Sequence, residues 1–491
     1  MTATLQKQTG AYYTPDYVVR SLVRWAVRSK NDRMLDPACG DGRFLVPHPR
    51  AVGVEQDPVA AAVVHERVPG ALIHEGDFFS WAGSTKERFE CAAGNPPFIR
   101  YQRFTGAVRA EAQRLCARHG ARFSSLSSSW APFIVATAAL LKRGGRLAFI
   151  VPAEIGHATY AKPVLQYMSS QFERVLLVLV RRKLFPGLSE DCWILYAEGF
   201  GSTTESIEIA LLDQFGPMRE PPPAKLCICV GLDEWERWNY RLRPFIVSRP
   251  VREFYEAAIN DQRAVRLGDV ARVGIGYVTG ANDFFHLRPS EAKRLGIPAE
   301  NLHWAVRNGR SLRGGSLTMT TVAEWIRRDE PVFLLRIQEQ DNLSTALRRY
   351  LNSEAAVQAQ STFKCRSRDP WYVVPDVTVP DAFLSYMSGG SPSLVLNEAG
   401  CVGTNSVHVV HLKRGISGTQ LARSWNDSFT ALSCEIEGHP LGGGMLKVEP
   451  REAARVAILR GRIDREGRGL VSEGIEDLRR WRHYGETARQ M

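Results

Sequence analysis

The residues of this chain best suited to do chemistry form the run Gly94-Asn95-Pro96-Pro97-Phe98. Two successive prolines fix φ and put no N–H donor beside their carbonyls. The side-chain oxygen of Asn95 and the carbonyl of Pro96 then make a pair of acceptors for both hydrogens of an exocyclic amine. Phe98 offers an aromatic face on which a base stacks, an interaction worth roughly 1–3 kcal/mol. Accepting both hydrogens concentrates on nitrogen a lone pair that in free adenine is delocalised into the ring. Such a nitrogen can attack a sulfonium methyl in line, and the step calls for no metal and no covalent enzyme intermediate. Deprotonation of the methylated amine can follow the attack, so no general base is assigned.

Upstream, Met34-Leu35-Asp36-Pro37-Ala38-Cys39-Gly40-Asp41-Gly42 reads as a strand running into a glycine-bearing turn that lets backbone approach a ligand closely. A lone Gly-x-Gly is weak evidence, but Val52-Gly53-Val54-Glu55 ends a second strand with a carboxylate nineteen positions after Asp36. An acid in that place accepts bonds from ribose hydroxyls. A third strand ends in Glu75-Gly76-Asp77-Phe78, where Asp77 is placed to accept from an adenine amino group and Phe78 to cover the ring. Singly, Glu55 and Asp77 read equally well as solvated loop acids. At successive strand ends they outline a nucleoside pocket at the carboxyl edge of a sheet.

The elements that must position these residues follow from the hydropathy pattern. Between Met34 and Val180, short apolar runs alternate with amphipathic segments, as in a parallel sheet with crossover helices. Strands are predicted at 33–35, 51–54, 71–73, 89–92, 146–151 and 174–179, with helices at 15–27 and 131–141. A Gly/Ser/Thr-rich stretch from Gly199 leads to Pro221-Pro222-Pro223, which stiffens a connection. The predicted division is a catalytic domain at 1–240 and a second domain at 241–491. Strand-like runs at 393–397 and 406–412 mark the latter.

A chain of 491 residues exceeds what one hydrophobic core usually supports. Its 44% hydrophobic and 23% charged residues fit an ordered fold and argue against a disordered one. The net charge of +11 favours a polyanionic partner without identifying it. Without an apolar signal region or a run of about 18 apolar residues, a cytoplasmic protein with no membrane association is expected. Nine scattered cysteines, the nearest pair being Cys227 and Cys229, predict reduced thiols and no zinc or other metal site.

The order Tyr12-Tyr13-Thr14-Pro15, Asp36-Pro-Ala-Cys-Gly-Asp-Gly, Glu55, Gly76-Asp77-Phe78 and Asn95-Pro-Pro-Phe resembles the gamma group of adenine-N6 DNA methyltransferases of bacterial restriction–modification systems. The resemblance covers the first 200 residues well and extends through Ser127–Ala139 and Leu141–Pro152. It implies an α/β fold: a Rossmann-like class I methyltransferase domain with a mixed, mostly parallel seven-stranded sheet, followed by an α+β target-recognition domain. The implied cofactor is S-adenosyl-L-methionine. Tyr13, Thr14, Pro15, Asp36, Ala38, Cys39, Gly40, Glu55, Gln56, Asp77, Phe78, Asn95 and Pro97 are its implied contacts. Asn95, Pro96, Pro97 and Phe98 are the implied catalytic set. In Leu184-Phe185-Pro186-Gly187, Phe185 is the implied second aromatic beside an extruded base, with a buried strand-end residue as an equal reading. The implied partners are double-stranded DNA and a separate cognate endonuclease, since no nuclease motif is visible and no room for a cleavage domain is expected ahead of the cofactor site.

The second half resembles the family's recognition domain more loosely, through Val273–Asn282, Arg368-Asp369-Pro370-Trp371-Tyr372, Gly403-Thr404-Asn405-Ser406 and Leu441–Lys447. Turns that let backbone reach DNA and plain packing are equal readings of these glycines. Arg307, Arg310, Arg313, Arg336, Lys364, Arg366 and Arg368 are unranked candidates for phosphate or base contacts. Three other functions stay open: an amine methyltransferase acting on RNA or a protein glutamine, one acting on cytosine N4, and an idle DNA-binding scaffold.

Overall fold

A computed structural model describes residues 14–483 except 186, 187, 189, 219, 313, 340 and 341. The chain divides into two compact units, Met1–Ile246 and Val247–Met491.

The first unit is built on one nine-stranded sheet. Its strands are β1 (Met34–Asp36), β2 (Ala51–Glu55), β3 (Leu72–Glu75), β4 (Phe89–Gly94), β5 (Leu141–Pro152), β6 (Arg174–Val180), β7 (Cys192–Glu198), β8 (Ser206–Leu212) and β9 (Ile228–Gly231). They lie in the order β3-β2-β1-β4-β5-β7-β6-β8-β9. β1 through β5 are mutually parallel, and β7 runs antiparallel to both β5 and β6. The sheet is mixed and mostly parallel, as expected, but holds nine strands where the resemblance implies seven; β7 is one beyond the six predicted. Two more extend it: β8 joins β6 in parallel and β9 pairs antiparallel with β8. β8 lies inside the stretch whose polar composition reads as a connection. Its alternation of buried Ile207 and Ile209 with half-exposed Ser206 and Glu208 is the signature of a strand with one wet face.

Helices pack on the sheet, one ahead of β1 and others as crossovers between its strands. α1 (Asp16–Ala26) buries Val18, Val19, Leu22, Val23, Trp25 and Ala26 along one stripe. The Trp25 ring meets Tyr196 of β7 in a T-shaped contact at 4.8 Å, and the Arg146 guanidinium of β5 lies over the Trp25 ring at 4.8 Å. α2 (Pro58–Arg67) follows β2, with Asp57 accepting from Val59 N–H at its start. α3 (Phe78–Ser84) follows β3 and α4 (Gly106–Arg118) lies beyond β4. α5 (Trp130–Ala138), apolar on every side, is wholly buried. It stops short of the expected residue 141, because Leu141 already pairs with Phe89 as the first residue of β5.

The second unit carries a five-stranded sheet containing Ala271–Ile275, His408–Leu412, Ala382–Leu384, Leu394–Asn397 and Ser316–Leu317, beside smaller sheets. The strand-like runs read near 393 and 406 are in it, shortened by one or two residues. Helix Arg465–Trp481 packs against Arg249–Asn260, where Gly467 and Gly474 leave room for Phe254 and Val251.

Candidate active site

Because β1 to β4 are parallel, their carboxyl ends share one edge, and the strand order reverses between β1 and β4. Ligands of open α/β sheets bind at such a point. Asp36, Glu55, Asp77 and Asn95 each stand at or just beyond one of those four ends. The fold therefore gathers on one edge acids that are far apart in the chain.

Asp36 ends β1 almost fully buried and accepts from Ala38 N–H at 3.2 Å. Burial pushes its carboxyl up to about 8, against the Ala38 hydrogen bond and with further help from the charges of Glu55 and Asp41. The β1 and β4 ends touch: a Cβ added at Gly94 would lie 2.7 Å from Asp36 Oδ1. Gly94→Ala is accordingly expected to lower stability by about 1–3 kcal/mol and to weaken cofactor binding. Thermal unfolding and titration calorimetry check both, and an unchanged Tm would refute the contact.

The turn after β1 is a tight one. Gly40 and Gly42 have φ of +54° and +81°, and Gly42 N–H bonds Cys39 carbonyl at 2.8 Å. Cys39 is buried against Gly53 of β2, where an added Cβ would meet its Sγ at 2.7 Å. Cys39 is thus a packing residue of the turn, whose own N–H bonds Val54 carbonyl at 3.0 Å. Ala38 and Gly40 are half-exposed, and an added Cβ at Gly40 meets no atom within 4 Å.

Glu55 is half-buried and closes the adjoining loop. Its Oε2 accepts from Gly40 N–H and its Oε1 from Asp57 N–H, both at 2.8 Å. Each carboxylate oxygen keeps a second lone pair for a hydroxyl ligand. Gln56 beside it is exposed. Asp77 caps α3 through Oδ1, which accepts from Ser80 N–H at 2.8 Å and Ser80 Oγ at 2.9 Å. Phe78 is buried, with one face stacked on Phe133 at 5.0 Å. Covering a ligand ring therefore falls to its edge or opposite face.

Thr14 is buried and Pro15 half-buried at the start of α1, tied to the β1 turn by Arg43, which reaches Thr14 carbonyl at 3.5 Å and Asp16 at 3.7 Å. Tyr13 lies outside the described residues. Asn95, half-buried, donates from Nδ2 to Thr14 Oγ1 at 3.3 Å. The Thr-Pro segment and the Asn-Pro-Pro-Phe run, 81 residues apart, are thus in direct contact.

Pro96 is buried, while Pro97, Phe98 and Ile99 are half-buried. This segment is held by a residue the motifs do not single out. Ser129 Oγ donates to Pro97 carbonyl and accepts from Ile99 N–H at 3.0 Å, and Ser129 N–H donates to Ile99 carbonyl at 2.9 Å. Its neighbours are also anchored: Ser128 Oγ bonds Tyr160 Oη at 3.0 Å and Trp130 Nε1 donates to Glu154 at 2.6 Å. A serine at the start of a predicted helix signals a helix cap, and nothing local signals this other use. Phe185 is 7% exposed in the apolar cluster on which Phe98 packs. Pro186 and Gly187 beside it lie outside the described residues.

In the second unit three of the four sequence stretches converge. Tyr277 N–H bonds Gly403 carbonyl at 3.0 Å, and Asn405 N–H bonds Tyr277 carbonyl at 2.9 Å. Arg368 donates to the carbonyls of Thr279, at 2.8 Å, and Val278. A Cβ at Gly276 would lie 2.1 Å from Gly403 carbonyl, so this glycine serves chain-to-chain packing. Arg368 acts as a clamp on the loop. Arg310, Lys364 and Arg366 are exposed, Arg307 is half-buried and paired with Asp283 at 4.0 Å, and Arg313 lies outside the described residues.

Comparison with known proteins accords with this architecture. Residues 240–487 match the family model described as Type II methyltransferase M.Eco57I, C-terminal domain. Residues 66–183 match Eco57I restriction-modification methylase, and residues 1–71 match N-6 DNA Methylase. Type II methyltransferase M.XamI of Xanthomonas campestris pv. amaranthicola is 24% identical over 475 residues, 92% of this chain and 85% of its own. Type II methyltransferase M.AccI of Acinetobacter calcoaceticus is 20% identical over 473 residues, 91% of this chain and 84% of its own. Among solved structures, the Type IIL restriction-modification enzyme MmeI in complex with DNA covers 100% of this chain and 77% of its own at TM-score 0.55 and 11% identity. At that identity the likeness is one of fold.

Proposed function

The chain belongs to the Type II restriction–modification DNA methyltransferases specific for adenine N6, and on that premise we propose that Asn95-Pro96-Pro97-Phe98 presents the adenine amino group to the methyl donor. The observation that carries this reading is the contact of Asn95 with Thr14 on the edge where the β1, β2 and β3 acids gather. The motif order supports the gamma group within that family.

The residues present suit S-adenosyl-L-methionine. Added Cβ atoms at Gly40 and Gly76 would meet nothing within 4 Å, and the carboxyl groups of Asp36 and Glu55 both border the Ala38–Gly40 turn, as a cationic ligand requires. Glu55 would take the ribose hydroxyls, Asp77 the adenine amino group through Oδ2, and Asp36 with the Ala38–Gly40 turn the methionine end. When bound, the cofactor supplies an electrophilic sulfonium methyl. The chain's own part is to accept both amine hydrogens at Asn95 Oδ1 and Pro96 carbonyl, stack the base on Phe98 and exclude water. Phe185 would have to leave its apolar cluster to flank the base, so stacking falls on Phe98.

A base inside a duplex cannot reach this edge and must be extruded, at a cost of a few kcal/mol. The second unit would hold the duplex and choose the sequence. A cognate endonuclease for that sequence is the partner implied. Long-read mapping of DNA from cells expressing the chain is expected to show N6-methyladenine at one short sequence. A map with N4-methylcytosine, or with no modified base, would sink the reading.

The acidic cradle has a pH signature. The folded carboxyl of Asp36 titrates near 8, well above its unfolded value of about 3.9, so its contribution to stability is fully present below about pH 4 and lost as pH rises towards 8. A bound cation pulls that value down. Cofactor binding at pH 7 is therefore expected to release up to one proton, seen as a buffer-dependent calorimetric enthalpy. Asp36→Asn should lose that dependence, and a wild-type enthalpy equal in all buffers would contradict the assignment.

A further inference from the structure

The geometry points to Ser129 as the positioning residue that sets the orientation of Phe98, and this rests on the reading of Asn95–Phe98 as the catalytic run. The Pro97 carbonyl belongs to the peptide before Phe98, and the Ile99 N–H belongs to the peptide after it. One hydroxyl holds both, donating to the first and accepting from the second, and the Ser129 N–H adds a third bond to Ile99 carbonyl. Both peptide planes that flank Phe98 are thereby fixed, and with them its φ and ψ.

Three observations mark this as more than incidental packing. Ser129 is fully buried, so its hydroxyl has no water to bond. It precedes α5 yet makes no side-chain bond to that helix, although serine in this place commonly caps the first turn. Finally, Ser128 is bonded to Tyr160 and Trp130 to Glu154, so the backbone carrying the hydroxyl is itself immobilised on either side. Pro96 and Pro97 supply no N–H, which leaves this segment few backbone donors with which to hold itself. The serine supplies the missing restraint from 32 residues away.

The ring of Phe98 retains an extruded base only if its face lies parallel to the plane in which the acceptors of Asn95 and Pro96 meet the amine. Without the hydroxyl the two peptides lose a shared restraint, and the flipped state is held less well. The loss then falls on base retention and methyl transfer. The latch holds Pro97, an implied cofactor contact, only through its backbone carbonyl, so cofactor binding, which rests mainly on Glu55, Asp77 and the turn after β1, changes little.

The test uses the full chain, S-adenosyl-L-methionine and duplexes carrying the target sequence found by mapping. Ser129→Ala is expected to lower kcat by about 10- to 100-fold, from two half-buried groups left unbonded, with the cofactor Kd unchanged within about twofold. Ser129→Thr keeps the hydroxyl and should recover most of that loss. A duplex whose target adenine faces an abasic site lowers the cost of extrusion, and so should restore Ser129→Ala more than it accelerates the wild type. Ser129→Ala with wild-type kcat would overturn the proposal. So would a loss that the abasic duplex does not relieve, or one accompanied by lost cofactor binding. Asn95→Ala run in parallel separates the two readings: if it retains transfer, the catalytic run itself is misassigned, whatever Ser129 does.

Discussion

Asn95→Ala is expected to cut methyl transfer to duplex DNA by on the order of 10²- to 10³-fold, the usual effect of removing one preorganised hydrogen-bonding group aimed at a reacting centre. In the ground state the adenine amine is nearly planar and its lone pair belongs to the ring. Attack requires that pair on nitrogen, and the Asn95 oxygen and the Pro96 carbonyl favour this by accepting the two hydrogens. The Asn95 amide is held for the task by its donor bond to Thr14 Oγ1 at 3.3 Å. The gain exists mainly as nitrogen rehybridises, so the substitution should lower kcat far more than it raises KM. Transfer of labelled methyl under single-turnover conditions measures it. Asn95→Asp, which keeps an acceptor in place, should retain more activity than Asn95→Ala. Full activity in the alanine variant would remove Asn95 from the mechanism.

Arg482→Leu should be the most damaging substitution in the second unit, lowering its stability by about 3–5 kcal/mol. Arg482 is buried to 1% exposure and Glu435 likewise to 1%. The guanidinium donates from Nε to Oε2 at 2.9 Å and from Nη2 to Oε1 at 2.7 Å, a two-point pairing that is the strongest geometry available to these groups. It also bonds Gly389 carbonyl at 3.0 Å, Gly390 carbonyl at 3.3 Å and Gly444 carbonyl. The stretch Leu441–Lys447, read above as a turn reaching DNA or as packing, is a hairpin whose turn carbonyl this arginine grips. Leucine would leave the buried Glu435 carboxylate without its two-point partner, while Arg479 still faces it at 3.2 Å. Denaturant unfolding of the variant checks the expectation. A double variant, Arg482→Leu with Glu435→Leu, should regain part of the loss, because the buried carboxylate goes with it and the part-exposed Arg479 can turn to water. Equal stability of the single variant and the wild type would show the pair to be dispensable.

What the sequence by itself determined was the local chemistry and the framework that carries it. Asp36, Glu55, Asp77 and Asn95 are legible because each sits a fixed few residues beyond an apolar run, and strand periodicity with glycine or proline punctuation is a short-range signal. That four such ends lie on one edge follows from the parallel crossover pattern. The added strands β8 and β9 were not legible, since a seven-residue strand with one wet face looks like a polar connection until its neighbour β6 is in place.

Tertiary structure alone decided which groups meet. The grip of Ser129 on the Phe98 peptides, the closeness of Gly94 to Asp36, and the pairing of Arg482 with Glu435 across 47 residues depend on how whole elements pack. A serine, a glycine or an arginine in isolation is compatible with many partners. Arg368 shows the consequence, for a residue read as a possible DNA contact spends its guanidinium on the carbonyls of Val278 and Thr279. A side chain's type limits the bonds it can make, but burial and the backbone groups brought beside it by folding select the ones it does make.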